Sequence, residues 1–474
     1  MAESYNNLID GEMISTAKTF AVVNPATEEE IAQVPSCGKD ELDRAVAAAR
    51  KAFLSWRKTP IEERRKAVQA IAATIKDNAD ELFRLLTLEQ GKPHSQAQME
   101  IYGAAGLAAA QSTLNLDDII NEDSDQRLSR TRHVPVGVVG GIVPWNFPVM
   151  MAVQKIVPAI LSGCTIVLKP SPFTPLTTLR IAELIKGVVP AGVVNIITGP
   201  DELGPLITEH PDIDKITFTG STATGKKIME GASKDLKRMT LELGGNDASI
   251  VLPDADVEKV AEQLFWSSFS NAGQICIAAK RIYIHEDIYD DLSKAIAEYA
   301  KQVKVGDGSH QGTGVGPIQN KKQFDRVCEL IQDAKDNGYQ FLLGGDVDPS
   351  GTGYYVPITI LDNPPEDARI VAEEQFGPVM PLMKFSSVDE VIERANNSDY
   401  GLAGAVWTKD TDQGVAIAEQ LETGTVWINE FLHINPLATF GGHKQSGFGA
   451  EYGIEGLKEF TYSQVITVKR DAEV

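Results

Sequence analysis

The sequence predicts an α/β protein built from two parallel-sheet units and a small β element at the C-terminal end. Three observations carry the expectation. From Val134 onward, short apolar runs alternate with helical patterns, which is the sequence form of successive βαβ units. After Gly244-Gly245 the same texture restarts, with Ser249 to Leu252 as its first strand. The chain closes on Tyr462 to Lys469, a single alternating strand whose expected partner, Arg130 to Val136, lies far upstream, an arrangement that suits a sheet shared between subunits.

The elements follow in chain order. Asn7 to Ile14 reads as two short strands around the Asp10-Gly11 turn, and Phe20 to Val23 as a third. Leu42, Val46, Ala49, Phe53 and Trp56 recur at helical spacing and predict an amphipathic helix from Asp40 to Trp56. Thr59, Pro60 and Glu62 stand where an N-cap, a first helical residue and a capping-box partner belong, ahead of a helix running to about Gln90 and closed by Gly91. A further helix is expected from Ser95 to Asn115, before the charged segment Asn121 to Arg132. The strands of the first sheet are then Val138 to Val143, Thr165 to Leu168, Val193 to Ile197, Ile216 to Thr219 and Met239 to Leu243, with helices Val149 to Leu161 and Pro175 to Lys186 between them. Ligands of open α/β sheets sit at the carboxyl ends of the strands, so Pro144 to Pro148, Lys169 to Pro175 and Gly220 to Gly225 are expected to form one mouth.

Composition narrows the function. The 474 residues suffice for two or three domains, and 43% hydrophobic with 23% charged residues is the make-up of a globular protein. Lys and Arg number 44 against 66 Asp and Glu, and the net charge of -22 repels nucleic acid and anionic membrane alike. Cys37, Cys164, Cys276 and Cys328 have no Cys-x-x-Cys or Cys/His spacing, so neither a disulfide scaffold nor a metal site is expected. The N-terminal residues hold no basic segment followed by an apolar core, and no run reaches the length of a membrane span, so a cytoplasmic protein is expected.

Four stretches carry chemistry. Cys276, in NAGQICIA, is a candidate nucleophile, although a cysteine between Ile275 and Ile277 also reads as a small buried hydrophobe. GSTATGK at 220 to 226 lacks the Ser or Thr that a P-loop needs next, having Lys227 there; what remains is a glycine-rich strand-to-helix turn able to hold a pyrophosphate. Glu242, in LELGG, ends an apolar strand, where burial would raise its pKa toward that of a general base; a solvated strand end is the other reading. Asn146, in PWNFP, is a preset amide suited to an oxyanion, or simply a turn residue.

PWNFP at 144 to 148, KPSPFTP at 169 to 175, GSTATG at 220 to 225, LELGG, NAGQICIA, EEQFGPV at 373 to 379 and FGGHKQSGFG at 440 to 449, in that order, resemble the NAD(P)-dependent aldehyde dehydrogenase superfamily. The resemblance implies a Rossmann-like cofactor domain from 1–116 and 136–244, a catalytic domain at 245–445, and an oligomerisation element from 117–135 and 446–474. It makes Cys276 the nucleophile, Asn146 the oxyanion donor, Glu242 the base that activates water, and Lys155 and Glu451 members of a proton path behind that base. For the cofactor it implies Lys169 at the adenosine ribose, Gly220, Ser221 and Gly225 at the pyrophosphate, and Glu374 and Phe376 at the nicotinamide half, with Trp145, Ser171 and Leu243 beside them. Pro172 stands where many NAD-preferring members carry a ribose-binding glutamate, so NAD is the expected cofactor with NADP left open; Ile454 occupies a position often acidic in the family.

An apolar aldehyde tunnel is expected from Phe147, Phe269, Ile275, Ile277 and Phe440, which favours aliphatic or aromatic aldehydes. His433 and His443 flank the expected entrance. The alternatives are a semialdehyde dehydrogenase, for example of succinate semialdehyde, a coenzyme A acyl-transferring relative, and a non-enzymatic protein on the same fold. A homodimer or homotetramer is expected through the terminal strand.

Overall fold

The computed structural model describes residues 5–470. Met1 to Ser4 and Asp471 to Val474, the outermost residues of the expected cofactor domain and oligomerisation element, lie outside the described residues. Two sheets dominate. The first runs Glu12–Ile14, Asn7–Ile9, Val194–Ile196, Thr165–Lys169, Val138–Ile142, Lys215–Thr219, Arg238–Glu242, Gly447–Phe448, and its five strands from Val194–Ile196 to Arg238–Glu242 are parallel. The second runs Gln340–Leu343, Thr359–Asp362, Val379–Phe385, Ala279–His285, Asp247–Val251, Ala403–Trp407, Thr425–Ile428. Strands Thr165–Lys169 and Lys215–Thr219 are buried along their whole length; the first carries the continuous apolar run Ile166 to Leu168, whereas the second buries Lys215, Thr217 and Thr219 between its apolar residues.

The order of the first sheet reverses at Val138–Ile142. Successive strands grow away from it on one side through Thr165–Lys169 and on the other through Lys215–Thr219. The loops leaving Val138–Ile142 and Lys215–Thr219 therefore diverge, opening a crevice at their carboxyl ends. Helix Lys39–Trp56 covers the sheet with the expected residues, Leu42, Val46, Ala49, Phe53 and Trp56, all buried.

Three differences from the sequence reading have physical causes. The long helix expected up to Gln90 is two helices, Ile61–Asp77 and Ala79–Gln90, broken at Asn78. Asn78 leaves helical geometry and its side-chain amide donates to the Thr74 carbonyl at 2.8 Å, the competition with the backbone that makes Asn a poor interior residue. Pro60 is itself the N-cap, so Thr59 is not, and without an N–H it cannot close a capping box; Glu62 pairs with Arg65 instead. Gly91 does end the second helix, at φ +92°.

The third difference concerns the terminal strand. Thr461–Lys469 pairs antiparallel with Arg127–Pro135, as expected, but within the chain, from Thr461 opposite Pro135 to Lys469 opposite Arg127; Ile119–Asp123 completes a three-stranded sheet. The pairing thus needs no second subunit. The polypeptide also returns to the first sheet: Gly447–Phe448 lies antiparallel on Arg238–Glu242, so a segment expected in the oligomerisation element closes the cofactor sheet. Gly447 is at φ +129°, and a side chain there would collide with the Leu241 carbonyl oxygen. Among the described residues, no helix is long and apolar enough to cross a membrane.

Candidate active site

A cavity of about 910 Å³ opens at the switch point of the first sheet and runs between the two sheets. Trp145, Asn146 and Phe147 from the loop after Val138–Ile142, Gly220 and Ser221 from the turn after Lys215–Thr219, and Ile275 to Ile277 all line it. Leu243, Glu374 and Phe376 line it as well.

Cys276 is delivered by a tight loop. Helix Val257–Phe269 gives way to Asn271, Ala272 and Gly273, three successive residues at positive φ, and the Gly273 position faces the Gly377 carbonyl so closely that no Cβ would fit. Buried Gln274 braces the loop, donating to the carbonyls of Asn271 at 2.8 Å and Pro317 at 3.4 Å and accepting from the Gln319 N–H at 2.8 Å. The Asn146 amide donates to the Gln274 carbonyl at 2.9 Å, which spends one of its two N–H groups, and Asn146 and Cys276 line the same cavity. Cys276 is half-buried, and burial pushes its thiol up to about 12.

Lys92 and Glu100 fix the Asn146 loop from behind, and sequence reading does not single them out because a lone Lys and Glu eight residues apart have no periodicity. Both side chains are fully buried and paired at 2.5 Å. Lys92 Nζ donates to the Asn146 carbonyl at 2.8 Å and stands 3.8 Å from the centre of the Phe147 ring. Glu100 accepts from the N–H groups of Val149 and Met150, capping the helix Pro148–Ser162.

Glu242 ends its strand with both carboxylate oxygens buried and without a hydrogen-bond partner. Burial first, and the neighbouring Glu451 second, hold its carboxyl well above the usual carboxylate range, with Lys155 opposing them. Lys155 and Gln154, both buried on the helix Pro148–Ser162, each donate to Glu451. Tyr452, a cavity-lining residue also missed by sequence reading, takes φ +57° and ψ 169°, a conformation almost reserved for glycine.

The expected dinucleotide residues gather on the sheet side. Lys169 is buried, the hydrogen bond of its ammonium among the described residues is a long 3.5 Å approach to the Pro170 carbonyl, and desolvation brings that ammonium down to about 8, against Asp201 and Glu202. Such a cation fits a ribose hydroxyl. Ser171 stands at the same turn, its hydroxyl accepting from the Phe173 N–H at 3.3 Å. Ser221 caps helix Thr222–Ala232, whose first-turn N–H groups face the mouth, and Gly225 presses on Leu243 so closely that a Cβ would overlap it. Lys226 is turned away onto the Gln445 side chain at 2.8 Å, unlike a phosphate-binding lysine. Trp145 meets Phe376 edge to face at 5.4 Å, and Glu374 accepts from the Gly245 N–H at 3.2 Å.

The tunnel needs two corrections. Phe269 does not line the cavity: it is fully buried in the core, 4.7 Å from the Phe265 ring, because it closes a helix on its inward face. Phe440 does not line it either; its backbone bridges that of Glu451, with hydrogen bonds of 2.8 and 2.7 Å, and its ring packs on Tyr452. Phe147, Ile275 and Ile277 do line the cavity, joined by Met150, Leu107, Leu432, Ile434 and Pro436. His433 is exposed and His443 pairs with Gly401 in a two-residue strand; neither lines the cavity. Arg326 reaches the wall but is paired with Glu373 and Glu329. Among the described residues, no group of three or more His, Cys, Asp or Glu is placed to hold a metal ion.

Residues 13–466 match the aldehyde dehydrogenase family. A probable aldehyde dehydrogenase of a Pseudomonas species is 42% identical over 98% of this chain and 95% of its own. Human aldehyde dehydrogenase 1A1 is 42% identical over 96% of this chain and 92% of its own. The NAD+ complex of an aldehyde dehydrogenase from Bacillus cereus superposes with a TM-score of 0.96 at 40% identity, over 98% of this chain and 97% of that one.

Proposed function

The chain belongs to the aldehyde dehydrogenase family, and from that premise we propose that it oxidises apolar aliphatic or aromatic aldehydes to carboxylic acids with NAD+, through Cys276, Asn146 and Glu242. The observation that carries the reading is the approach of three groups from separate elements: a cysteine on a strained loop, an amide pinned to that loop at the Gln274 carbonyl and lining the same cavity, and a buried carboxylate without hydrogen-bond partners whose charge acts on the thiol.

Cys276 attacks the aldehyde carbon as a thiolate, forming a C–S bond, and the carbonyl oxygen becomes an oxyanion beside the free N–H of Asn146. A nicotinamide bound in this site would supply the hydride acceptor that oxidation of this adduct to a thioester needs. Lys169, Ser171 and the turn from Gly220 through Ser221 to Gly225, with Leu243 beneath it, would hold its adenosine and pyrophosphate; Trp145, Glu374 and Phe376 would hold the nicotinamide half. Glu242 then takes a proton from water as the water attacks the thioester, releasing the acid and restoring the thiol, and its raised pKa suits it to that work. Lys155 and Glu451 lie behind it as a route for the proton.

The wall supports an apolar substrate. Arg326, the cavity-lining cation among the described residues, is held by Glu373 and Glu329, so it offers no free charge to a second carboxylate, and Phe147, Met150, Leu107, Ile275 and Ile277 make much of the rest apolar. NAD is the cofactor read for this chain, in line with the NAD+ complex of the B. cereus relative; Pro172 leaves NADP as the comparison to make. The division into a cofactor domain at 1–116 and 136–244, a catalytic domain at 245–445 and a self-association element at 117–135 and 446–474 goes with this reading, as does a cytoplasmic homodimer or homotetramer.

Purified protein and Cys276→Ala, given NAD or NADP and a panel of aliphatic, aromatic and carboxylated aldehydes, test the proposal by the absorbance of reduced cofactor. Turnover by wild type alone, without coenzyme A or phosphate, and with apolar aldehydes preferred about tenfold or more over succinate semialdehyde, is expected. Equal rates from both proteins would remove Cys276 as nucleophile.

A further inference from the structure

Resting on the reading of Cys276 as nucleophile, we propose that Lys280 is a positioning residue that ties the Cys276 segment to Glu374 and supplies the positive charge against which the thiol gives up its proton. Lys280 is 2% exposed. Its Nζ donates to the Cys276 carbonyl at 2.6 Å and stands 3.4 Å from Glu374 Oε1, the oxygen that also accepts from the Gly245 N–H at 3.2 Å. One ammonium thus spans the nucleophile's backbone and the carboxylate expected to meet the cofactor.

The surroundings are built to keep that span closed. A Cβ on Gly244 would overlap the Glu374 carboxylate, and one on Gly245 would stand 2.7 Å from both the Cys276 carbonyl and Asp247 Oδ1. The two glycines of LELGG therefore admit the group around Lys280 as much as they serve Glu242.

Charge gives the ammonium its task. The thiol faces Glu374, Asp247 and Glu242, with the Tyr452 phenol on the cavity side. Three carboxylates and burial all oppose a thiolate, and Lys280 is the cation set against them. Burial also lifts Asp247 to about 7 and raises Glu374, and Lys280 opposes both shifts. A neutral side chain at 280 would leave Glu374 with the Gly245 N–H but without its ion-pair partner.

Alkylation of the cofactor-free protein by iodoacetamide tests this without turnover. The thiolate displaces iodide, forming an S–CH2 bond, and the thiol proton goes to buffer. The rate at Cys276, read by peptide mass against Cys276→Ala, is followed from about pH 6 to about pH 10. Lys280→Gln keeps a donor for the Cys276 carbonyl without the charge, Lys280→Met keeps neither, and Lys280→Arg keeps the charge; melting curves report folding of each. Lys280→Gln is expected to slow alkylation at least ~10-fold across this pH range, with Lys280→Arg restoring most of the rate. Should Lys280→Met not fold, the Gln and Arg pair still decides. A wild-type rate in Lys280→Gln across this range would overturn the role of Lys280 alone, whereas a wild type unlabelled at Cys276 would overturn the nucleophile reading, and this proposal with it.

Discussion

At the scale of single residues, Glu242 sets chemistry against stability. Its folded-state pKa lies above that of an unfolded glutamate, so the stability it contributes is complete below the unfolded value and is lost as pH rises through the folded one. Glu242→Gln removes that loss. It is expected to melt about 1–3 °C above wild type at neutral to alkaline pH while acylating once and then stalling, a thioester visible by intact mass. Glu451→Gln takes away the charge that raises Glu242 and frees Lys155 to lower it, so the acid limb of the kcat profile is expected to move to lower pH. Lys92→Met leaves Glu100 buried without its cation and is expected to cost about 3–5 kcal/mol in denaturant titration, with Lys92→Met/Glu100→Gln recovering part of it. Cys276, Glu242 and Asn146 are legible in the sequence because each sits in a short string of unusual residues. Lys92, Lys280 and Tyr452 are not, because their meaning lies in what folds against them.

At the scale of elements, the helix His94–Gln111 decides how wide the tunnel is. Gly103 and Gly106, one turn apart, both line the cavity, and a Cβ on Gly106 would meet nothing within 4 Å. Glycine inside a helix costs about 0.8–1.0 kcal/mol relative to alanine, so Gly106→Leu is expected to fold at least as well as wild type while narrowing the passage. Steady-state kinetics should show kcat/KM falling about 10-fold or more for bulky aromatic aldehydes and little changed for acetaldehyde. Helix Lys39–Trp56 was readable because its five apolar positions keep one period. The break at Asn78 was not, since the apolar pattern continues across it and only the local bond to Thr74 stops the helix. Phe269 was misread for a related reason: proximity to Cys276 in sequence says nothing about which side of the helix end its ring takes.

At the scale of the whole molecule, the two parallel sheets and their mouth follow from alternating strand and helix patterns, but the return of the chain's end does not. The partner of Thr461–Lys469 was legible; that the two pair within one chain was not, because a long antiparallel register reads the same in one subunit or two. Val465 and Val468 remain exposed on this strand, at 61% and 49%. On the proposed self-association, Val465→Asp with Val468→Asp is expected to lower the mass found by light scattering toward that of one chain; a mass of one chain for the wild type as well would overturn that association.

Gly447–Phe448 has a consequence during synthesis. The strand edge at Leu241 and Glu242 waits for it, and at the usual pace of a ribosome the wait is on the order of 10–40 s. Through that interval the first sheet is exposed along one edge, open to pairing with other chains, and the Glu242 carboxylate is not yet enclosed. A ribosome-bound chain halted before Gly447 should therefore be cleaved by protease near Arg238–Glu242, and lengthening it past Phe448 should end the cleavage.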